Sequence, residues 1–276
     1  MEGEKLNIII PIKQVPETSN VKMDEKTGTM IREGVESIIN PLDLYAIEVG
    51  IQLKEEHGGK VIVISMGPPG AEKALREAIS MGCDDGILVT GKEFKGSDTW
   101  ATSFVLSKSI QNIGNYDLIL TGERATDGDT GQVGPGIGSF LDIPLATYVS
   151  KIVKITDKSI IVERLVEDGY ETLKMPLPAL LTVIKEISYP GLPTLRGKQK
   201  AKKTEIPVWS ADNMKLDKSK LGLKSSPTRV VKISHPKVTR GGTIVRPTDE
   251  ESLLKAIDQL IKFMQKKRIN LRRFNK

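Results

Sequence analysis

The sequence predicts an α/β protein built on a doubly wound, mostly parallel sheet. Three observations lead there. Apolar runs at Leu6–Ile12, Val61–Ser65, Ile87–Val89 and Asp117–Leu120 suit strands covered on both faces. Stretches with apolar residues at helical spacing lie between them. Strict alternation of strand and helix requires right-handed crossovers between parallel strands.

The elements follow in order. Leu6–Ile12 opens the sheet. Pro41–Glu56 is a helix with Leu44, Ile47 and Ile51 on one face, widened by Ala46, Val49 and Leu53. His57-Gly58-Gly59 ends it. Val61–Ser65 is the next buried strand, followed by a helix over Ala71–Met81 that turns Ala71, Ala74, Leu75, Ala78 and Ile79 inward. Ile87–Val89 is a strand, Thr99–Ile113 a helix and Asp117–Leu120 a strand. Val149–Ile155 and Ile160–Val166 alternate in polarity around Thr156-Asp157-Lys158-Ser159 and predict a hairpin. Leu177–Ile184 is a further strand. Pro190–Lys203 carries proline, glycine and a basic run and is expected to be an exposed loop, and Lys215–Lys237 an irregular polar arm. Glu251–Lys266 is an amphipathic helix with Leu253, Leu254, Ile257, Leu260, Ile261 and Met264 on its apolar side, suited to closing the domain or docking on a partner. The expected division is 1–195 for the α/β domain and 196–276 for a C-terminal arm, helix and basic tail.

The most informative segment is Leu118–Pro135. It predicts a buried strand, a turn of small and polar residues, and the start of a helix. Such a helix start offers free N–H groups and a favourable dipole to an anion. Gly128 and Gly131 leave room for close approach of a ligand, Thr126 and Thr130 add hydroxyl donors, and a nucleotide diphosphate would fit. Ordinary turns use the same residue types, so the segment alone leaves both readings open. It is neither a Walker A loop nor a Rossmann glycine fingerprint. In parallel sheets ligands bind beyond the carboxyl ends of the strands. Pro11–Val15, Asn40–Asp43, Met66–Gly70 and Ala125–Val133 should converge there.

Composition narrows the chemistry. The net charge of +6 is concentrated in Arg196–Lys203 and Lys262–Lys276, which is compatible with nucleic acid, an anionic surface or plain solvation. Aromatic residues make up only 4% of the chain, leaving no stacking platform for nucleic acid. Cys83 is the sole cysteine, so no internal disulfide framework exists, in keeping with a cytoplasmic location. No HExxH, CxxC or Gly-x-Ser-x-Gly motif occurs, and His57 and His235 stand apart from any cluster. Asp127 and Asp129 could bind a metal or act as an acid/base pair, but helix capping and loop hydrogen bonding suit a helix start better. This inventory favours chemistry carried by a cofactor, or binding alone.

At this point the residues resemble a known family, the β subunit of electron-transfer flavoprotein. The match is most specific over Val162–Thr182: a basic Arg164, the acidic cluster Glu167-Asp168-Gly169, Glu171-Thr172-Leu173, then a proline before the final apolar strand. Ile12-Lys13-Gln14-Val15-Pro16, Asn40-Pro41-Leu42-Asp43, Met66-Gly67-Pro68 and Leu192-Pro193 followed by the basic Lys198–Lys203 run match as well. The resemblance implies an adenine-nucleotide α-hydrolase-like sheet and a heterodimer with an α subunit that carries a mobile FAD domain. It places a nucleotide on Pro11, Lys13, Asn40, Pro41, Leu42, Asp43, Met66, Gly67, Ala125, Thr126, Asp127, Gly128, Asp129, Thr130, Gly131, Gln132, Val133, Gly134 and Pro135.

Ordinary members hold AMP there. The run Asp127–Pro135 resembles the electron-bifurcating, Fix-type branch, in which FAD replaces AMP. That branch implies NADH as reductant. One electron then goes by way of the α-subunit FAD to a quinone oxidoreductase or acyl-CoA dehydrogenase, and the other to low-potential ferredoxin or flavodoxin. Leu192 corresponds to the family's apolar docking anchor, with Leu195 as a rival, and either could instead tuck against its own domain. The tail Arg268–Lys276 could touch acidic partners or lipid, or be a solvated end. Peripheral membrane association would then run through a partner complex. A stand-alone adenine-nucleotide sensor that binds nucleic acid is the reading from another class.

Overall fold

The computed structural model describes residues 5–17, 22–23, 30–31, 36–229 and 244–267. A compact unit, Met1–Arg229, carries the sheet, and a second unit spans Val230–Lys276. The first unit begins with β1 (Leu6–Pro11), β2 (Gln14–Pro16), β3 (Lys22–Met23), β4 (Met30–Ile31), β5 (Ser37–Ile39), α1 (Asp43–His57) and β6 (Gly59–Met66). It continues through α2 (Glu72–Met81), β7 (Asp85–Val89), α3 (Thr99–Ile113), β8 (Leu118–Gly122), α4 (Val133–Leu141) and β9 (Leu145–Thr156). It ends with β10 (Ser159–Val166), β11 (Gly169–Pro176), β12 (Ala179–Val183), α5 (Leu195–Lys203), β13 (Val208–Trp209) and α6 (Gly222–Ser225).

Nine strands form one sheet in the order β11-β10-β9-β12-β8-β1-β6-β7-β13. The segment from β9 to β7 in that order is parallel throughout, as the uninterrupted apolar runs predict. β9, β10 and β11 extend it as an antiparallel meander. The two sides of each central strand feed different cores. Ile8, Ile10, Val61, Val63, Leu118 and Leu120 pack with α1 and α2 residues such as Ile47, Leu75 and Ile79. Ile9, Ile64, Ile119 and Leu180 pack on the other face with Val105 and Ile110 of α3 and Ile137 of α4.

This is the doubly wound architecture the alternation predicts, and its strand order reverses at β1. From β1 the chain first builds outward through β6 and β7, then returns to place β8 on the opposite side. The loops after β1 and β8 therefore part company, opening a crevice at the carboxyl ends of those two strands.

Several elements differ from the sequence expectation. The expected hairpin has a third strand, β11, so the Val162–Thr182 run forms β10, its turn, β11 and most of β12. Glu171 shares a face with Leu173 and Met175 and breaks the apolar alternation that would mark β11. The expected loop Pro190–Lys203 contains α5. Thr194 caps it, its hydroxyl oxygen accepting from the Gly197 N–H at 2.9 Å. The basic run conceals a helix because only Ala201 is buried. β2 pairs with β5 near the start of the chain, a short antiparallel pairing without apolar periodicity. The polar arm after Lys215 is not free as far as Thr228: the Thr228 N–H and hydroxyl both donate to Asp98 at 2.9 Å, tying it to the N-terminus of α3. Its remainder, and the tail Arg268–Lys276, lie outside the described residues. α5 packs on α2 and β13 joins the sheet edge, both within the compact unit Met1–Arg229.

In the second unit, α7 (Glu250–Lys266) is closed at its N-terminus by a reciprocal capping box between Asp249 and Ser252. None of its side chains is buried, and Leu254 and Leu260 are conspicuously exposed apolar residues. Among the described residues no helix is long and apolar enough to cross a membrane.

Gly197 tests the α5 packing. A methyl group there would collide with the backbone carbonyl of Ser80 on α2. Gly to Ala in a helix ordinarily stabilises by about 1 kcal/mol. Gly197→Ala is expected to reverse that sign, lowering the urea midpoint and speeding tryptic cleavage within Leu195–Lys203.

Candidate functional site

The crevice between β1 and β8 is assembled around two buried polar side chains. Asn40 is fully buried at the entry to α1. Its backbone N–H donates to the Lys13 carbonyl at 2.8 Å, joining it to the segment after β1. Its side-chain NH2 donates to the Arg124 carbonyl at 2.9 Å, and its side-chain oxygen accepts from the Thr126 N–H at 3.2 Å. One asparagine thus clips the loop after β8 to the loop after β1. Only an amide offers a donor and an acceptor together in this geometry.

Asp43, the first residue of α1, does the same work from below. It accepts the Lys13 N–H at 2.8 Å and is hydrogen-bonded by the backbone of Gly122 at the end of β8. Burial pushes its carboxyl up to about 7, opposed by those hydrogen bonds, by Asn40 and by the Lys13 charge.

Around this pair the expected residues gather. Pro11 ends β1, Met66 ends β6, and Gly67 follows it with its N–H donating to the Val89 carbonyl. Gln14 donates to the Gly70 carbonyl at 3.0 Å, drawing the loop after β6 towards the one after β1. Pro41 and Leu42 form the turn into α1, Pro41 exposed and Leu42 half-buried. Residues Thr126 to Thr130 are exposed in a turn in which the Gly128 and Asp129 N–H groups both donate to the Ala125 carbonyl. The space beside Gly128 is open, and Asp129 and Gly131 adopt left-handed backbone with φ of 53° and 63°.

The helix starts later than expected. α4 begins at Val133, and its N-cap, Gln132, makes no side-chain capping bond. Instead, the Gln132 side-chain oxygen accepts from the Thr99 hydroxyl at 2.9 Å. Asp127 and Asp129 therefore do not cap it, which corrects the helix-start reading. Asp127 accepts from Lys13 Nζ at 2.7 Å, and Asp129 pairs with Arg124 Nε at 2.9 Å. The N–H groups of Val133 and Gly134 lie beyond the reach of the helix's own carbonyls, while Pro135 has no N–H to satisfy.

Beneath that first turn lies Thr121, 6% exposed, whose hydroxyl has no partner among the described residues. It faces α4 closely: a Cβ on Gly134 would sit 2.8 Å from it and 2.7 Å from Thr182 Cγ2. Glycine at 134 lets the helix start approach the strand ends.

Leu192 and Leu195 do not join this site. Both are exposed, at 84% and 83%, on the segment that Gly191 anchors to Glu48 of α1 and Thr194 anchors to Ser80 near the C-terminal end of α2. Sequence reasoning missed Thr121, Arg124 and Tyr148. Tyr148 holds a left-handed φ of 58°, and its hydroxyl approaches Gly131. A hydroxyl closing the apolar run Leu118–Leu120 was the available signal for Thr121. Nothing in sequence marks Tyr148. Cys83 offers no nucleophile, since burial pushes its thiol up to about 12. No group of three His, Cys, Asp or Glu able to hold a metal occurs among the described residues.

The arrangement is a polar crevice at a topological switch point. It has cations on both walls, helix N–H groups beyond the reach of the helix's own carbonyls at one end, and below them a buried hydroxyl unpaired among the described residues. Such an arrangement can hold a phosphate-bearing ligand.

A model of the electron transfer flavoprotein domain matches residues 27–214. The chain is 48% identical over 256 residues to "Electron transfer flavoprotein subunit beta" of Thermoanaerobacterium thermosaccharolyticum, covering 92% of this chain and 98% of the relative. It is 44% identical over 244 residues to "Caffeyl-CoA reductase-Etf complex subunit CarD" of Acetobacterium woodii, covering 88% and 93%. It is 40% identical over 263 residues to "Protein FixA" of Sinorhizobium fredii, covering 93% and 92%.

Asp43 gives the site a pH signature. Its folded-state value lies above the 3.8 of a free carboxyl. The folded chain therefore holds a proton that the unfolded chain releases, and the stability this contributes is full below about pH 4. That contribution is lost as pH rises through about 7, at up to about 1.4 kcal/mol per pH unit. Urea unfolding between pH 4 and 8 should show this decline in the parent chain and a flatter profile in Asp43→Asn, whatever the variant's absolute stability.

Proposed function

This chain belongs to the electron transfer flavoprotein family, as a β subunit of the Fix and bifurcating type, and we propose that it holds FAD in the β1–β8 crevice. The observation that carries this reading is the convergence at one crevice of Asn40, Lys13, the turn Ala125–Gln132 and the uncapped start of α4. Those groups fit the adenylate end of a dinucleotide. The N–H groups of Val133 and Gly134 and the Thr130 hydroxyl would hold phosphate, and the open space beside Gly128 would pass the chain between the phosphates. AMP would use the same adenylate contacts and is the alternative occupant.

β subunits of this family pair with α subunits. The finer reading is that the complex oxidises NADH and divides the electrons. One would pass through the α-subunit FAD to a quinone oxidoreductase of the Fix type, a flavin dehydrogenase or an acyl-CoA dehydrogenase. The other would pass to ferredoxin or flavodoxin. A bound flavin supplies both one- and two-electron chemistry. This chain's own residues orient it and neutralise its phosphates, and none of them needs to move a proton. The names of two relatives support a place in such complexes: one is a subunit of a caffeyl-CoA reductase–Etf complex and another is FixA. The exposed Leu192 and Leu195, raised on the segment before and at the start of α5, supply apolar anchors for a dehydrogenase partner. A cytoplasmic setting and α7 as a contact to the α subunit complete the proposal.

The test is a nucleotide count on the heterodimer purified with its endogenous ligands. Two FAD and no AMP per heterodimer is the expected result. One FAD with one AMP would make this subunit the structural half of a simple electron shuttle. On the docking side, Leu192→Asp should raise the KM for the dehydrogenase partner about tenfold while leaving the nucleotide count unchanged.

A further inference from the structure

Lys13 and Arg124 flank the crevice from its two walls, one on the segment after β1 and the other on the segment after β8. Each is paired with a carboxylate of a single turn, and Arg124 Nε also lies 3.7 Å from Glu123. Lys13 Nζ lies 2.7 Å from Asp127, and Arg124 Nε lies 2.9 Å from Asp129. These acids sit where a phosphate-binding turn would gain most from having none, because two carboxylates repel an anion. Neither caps α4, and neither braces the sheet.

We propose that Asp127 and Asp129 are exchangeable counter-ions. They hold Lys13 and Arg124 at the crevice mouth, and a nucleoside diphosphate then takes both cations from them. This rests on the nucleotide reading given above and identifies which part of the ligand the turn selects.

Three features support the exchange. First, both pairs are solvated: the side chains of Lys13 and Asp127 are 50% and 33% exposed, and those of Arg124 and Asp129 are 47% and 71%. Exposed pairs of this kind are weak and cheaply broken. A phosphate offers the guanidinium a two-point, charge-assisted match and the ammonium a stronger point charge.

Second, the cations are pre-positioned by the backbone rather than by the acids. The Lys13 N–H and carbonyl are fixed by Asp43 and Asn40, and the Arg124 carbonyl by the Asn40 amide. Releasing the carboxylates therefore does not release the cations' anchor points.

Third, an independent feature points to a ligand at this place. The buried Thr121 hydroxyl, unpaired among the described residues, faces the first turn of α4 just downstream of the acids. A diphosphate offers one phosphate group to the cation on each wall, whereas a monophosphate offers a single group that both must share. The turn thus favours diphosphates over monophosphates through its own internal competition.

The test is a double-mutant cycle on the heterodimer with its α partner, freed of endogenous nucleotide and titrated calorimetrically with ADP and with AMP. Lys13→Met should weaken ADP about tenfold and narrow the preference for ADP over AMP. Asp127→Asn should tighten ADP about threefold, the scale of an exposed ion pair. In the Lys13→Met background, Asp127→Asn should change nothing. Arg124→Met and Asp129→Asn should behave likewise.

An Asp127→Asn variant that weakens ADP, or leaves it unchanged, overturns the exchange. So does a gain that persists undiminished with Met at position 13, since that is a general field effect rather than a swap. If the parent heterodimer binds neither ADP nor AMP, the nucleotide reading itself fails, a result distinct from any of these.

Discussion

The crevice depends on one buried asparagine and one buried aspartate placed at the mouth of the sheet. Asn40 and Asp43 are separated by one turn of chain, yet between them they bind the ends of β1 and β8 and the loops that follow. A doubly wound sheet creates a gap wherever its strand order reverses, because successive loops leave in opposite directions. Such a gap would be floppy and wet without a strut. Here the strut is polar and inward-facing, so it leaves the outer walls free for ligand. Removing the Asn40 amide would strand the Arg124 carbonyl and the Thr126 N–H together. That is why a single position matters more than its one side chain suggests.

The charges at the site rank by how far they are withdrawn from water. Asp43 is withdrawn completely, and its carboxyl is pushed up to about 7. It works as a structural acid. Lys13, Arg124, Asp127 and Asp129 remain solvated, and their pairings can be remade at small cost. The molecule thus keeps a buried, hydrogen-bonded carboxyl below the crevice and solvated ion pairs at the rim. For the nucleotide proposed above, that division would keep the frame in place while the rim charges change partners.

Much of this was legible in the sequence, for particular reasons. The parallel strands announce themselves because both faces are buried, which leaves runs such as Leu6–Ile12 with almost no polar interruption. The four converging segments follow from topology alone once the strands are placed, and Asn40-Pro41-Leu42-Asp43 is conspicuous as a polar turn opening an apolar helix. What escaped detection depends on which side chains the folded chain brings together. The partners of Asp127 and Asp129 lie on either side of the crevice, and local spacing suggested a helix cap instead. α5 was hidden because its surface is nearly all lysine and arginine, so its 3.6-residue period rests on a single buried alanine. β11 has only Leu173 and Met175 on its inner face, interrupted by Glu171, so its alternation is too short to read. The left-handed conformation of Tyr148 is imposed by neighbours and has no local signal.

The central claim is that phosphate sits at the first turn of α4, between the walls that Asn40 ties together. The most direct measurement is an experimental structure of the heterodimer with its native nucleotide at a resolution that places phosphorus atoms. The account predicts a phosphate within hydrogen-bonding distance of the Val133 or Gly134 N–H, with Lys13 turned towards the ligand and away from Asp127. A nucleotide bound elsewhere, with the β1–β8 crevice closed by side chains of the α subunit, would contradict it.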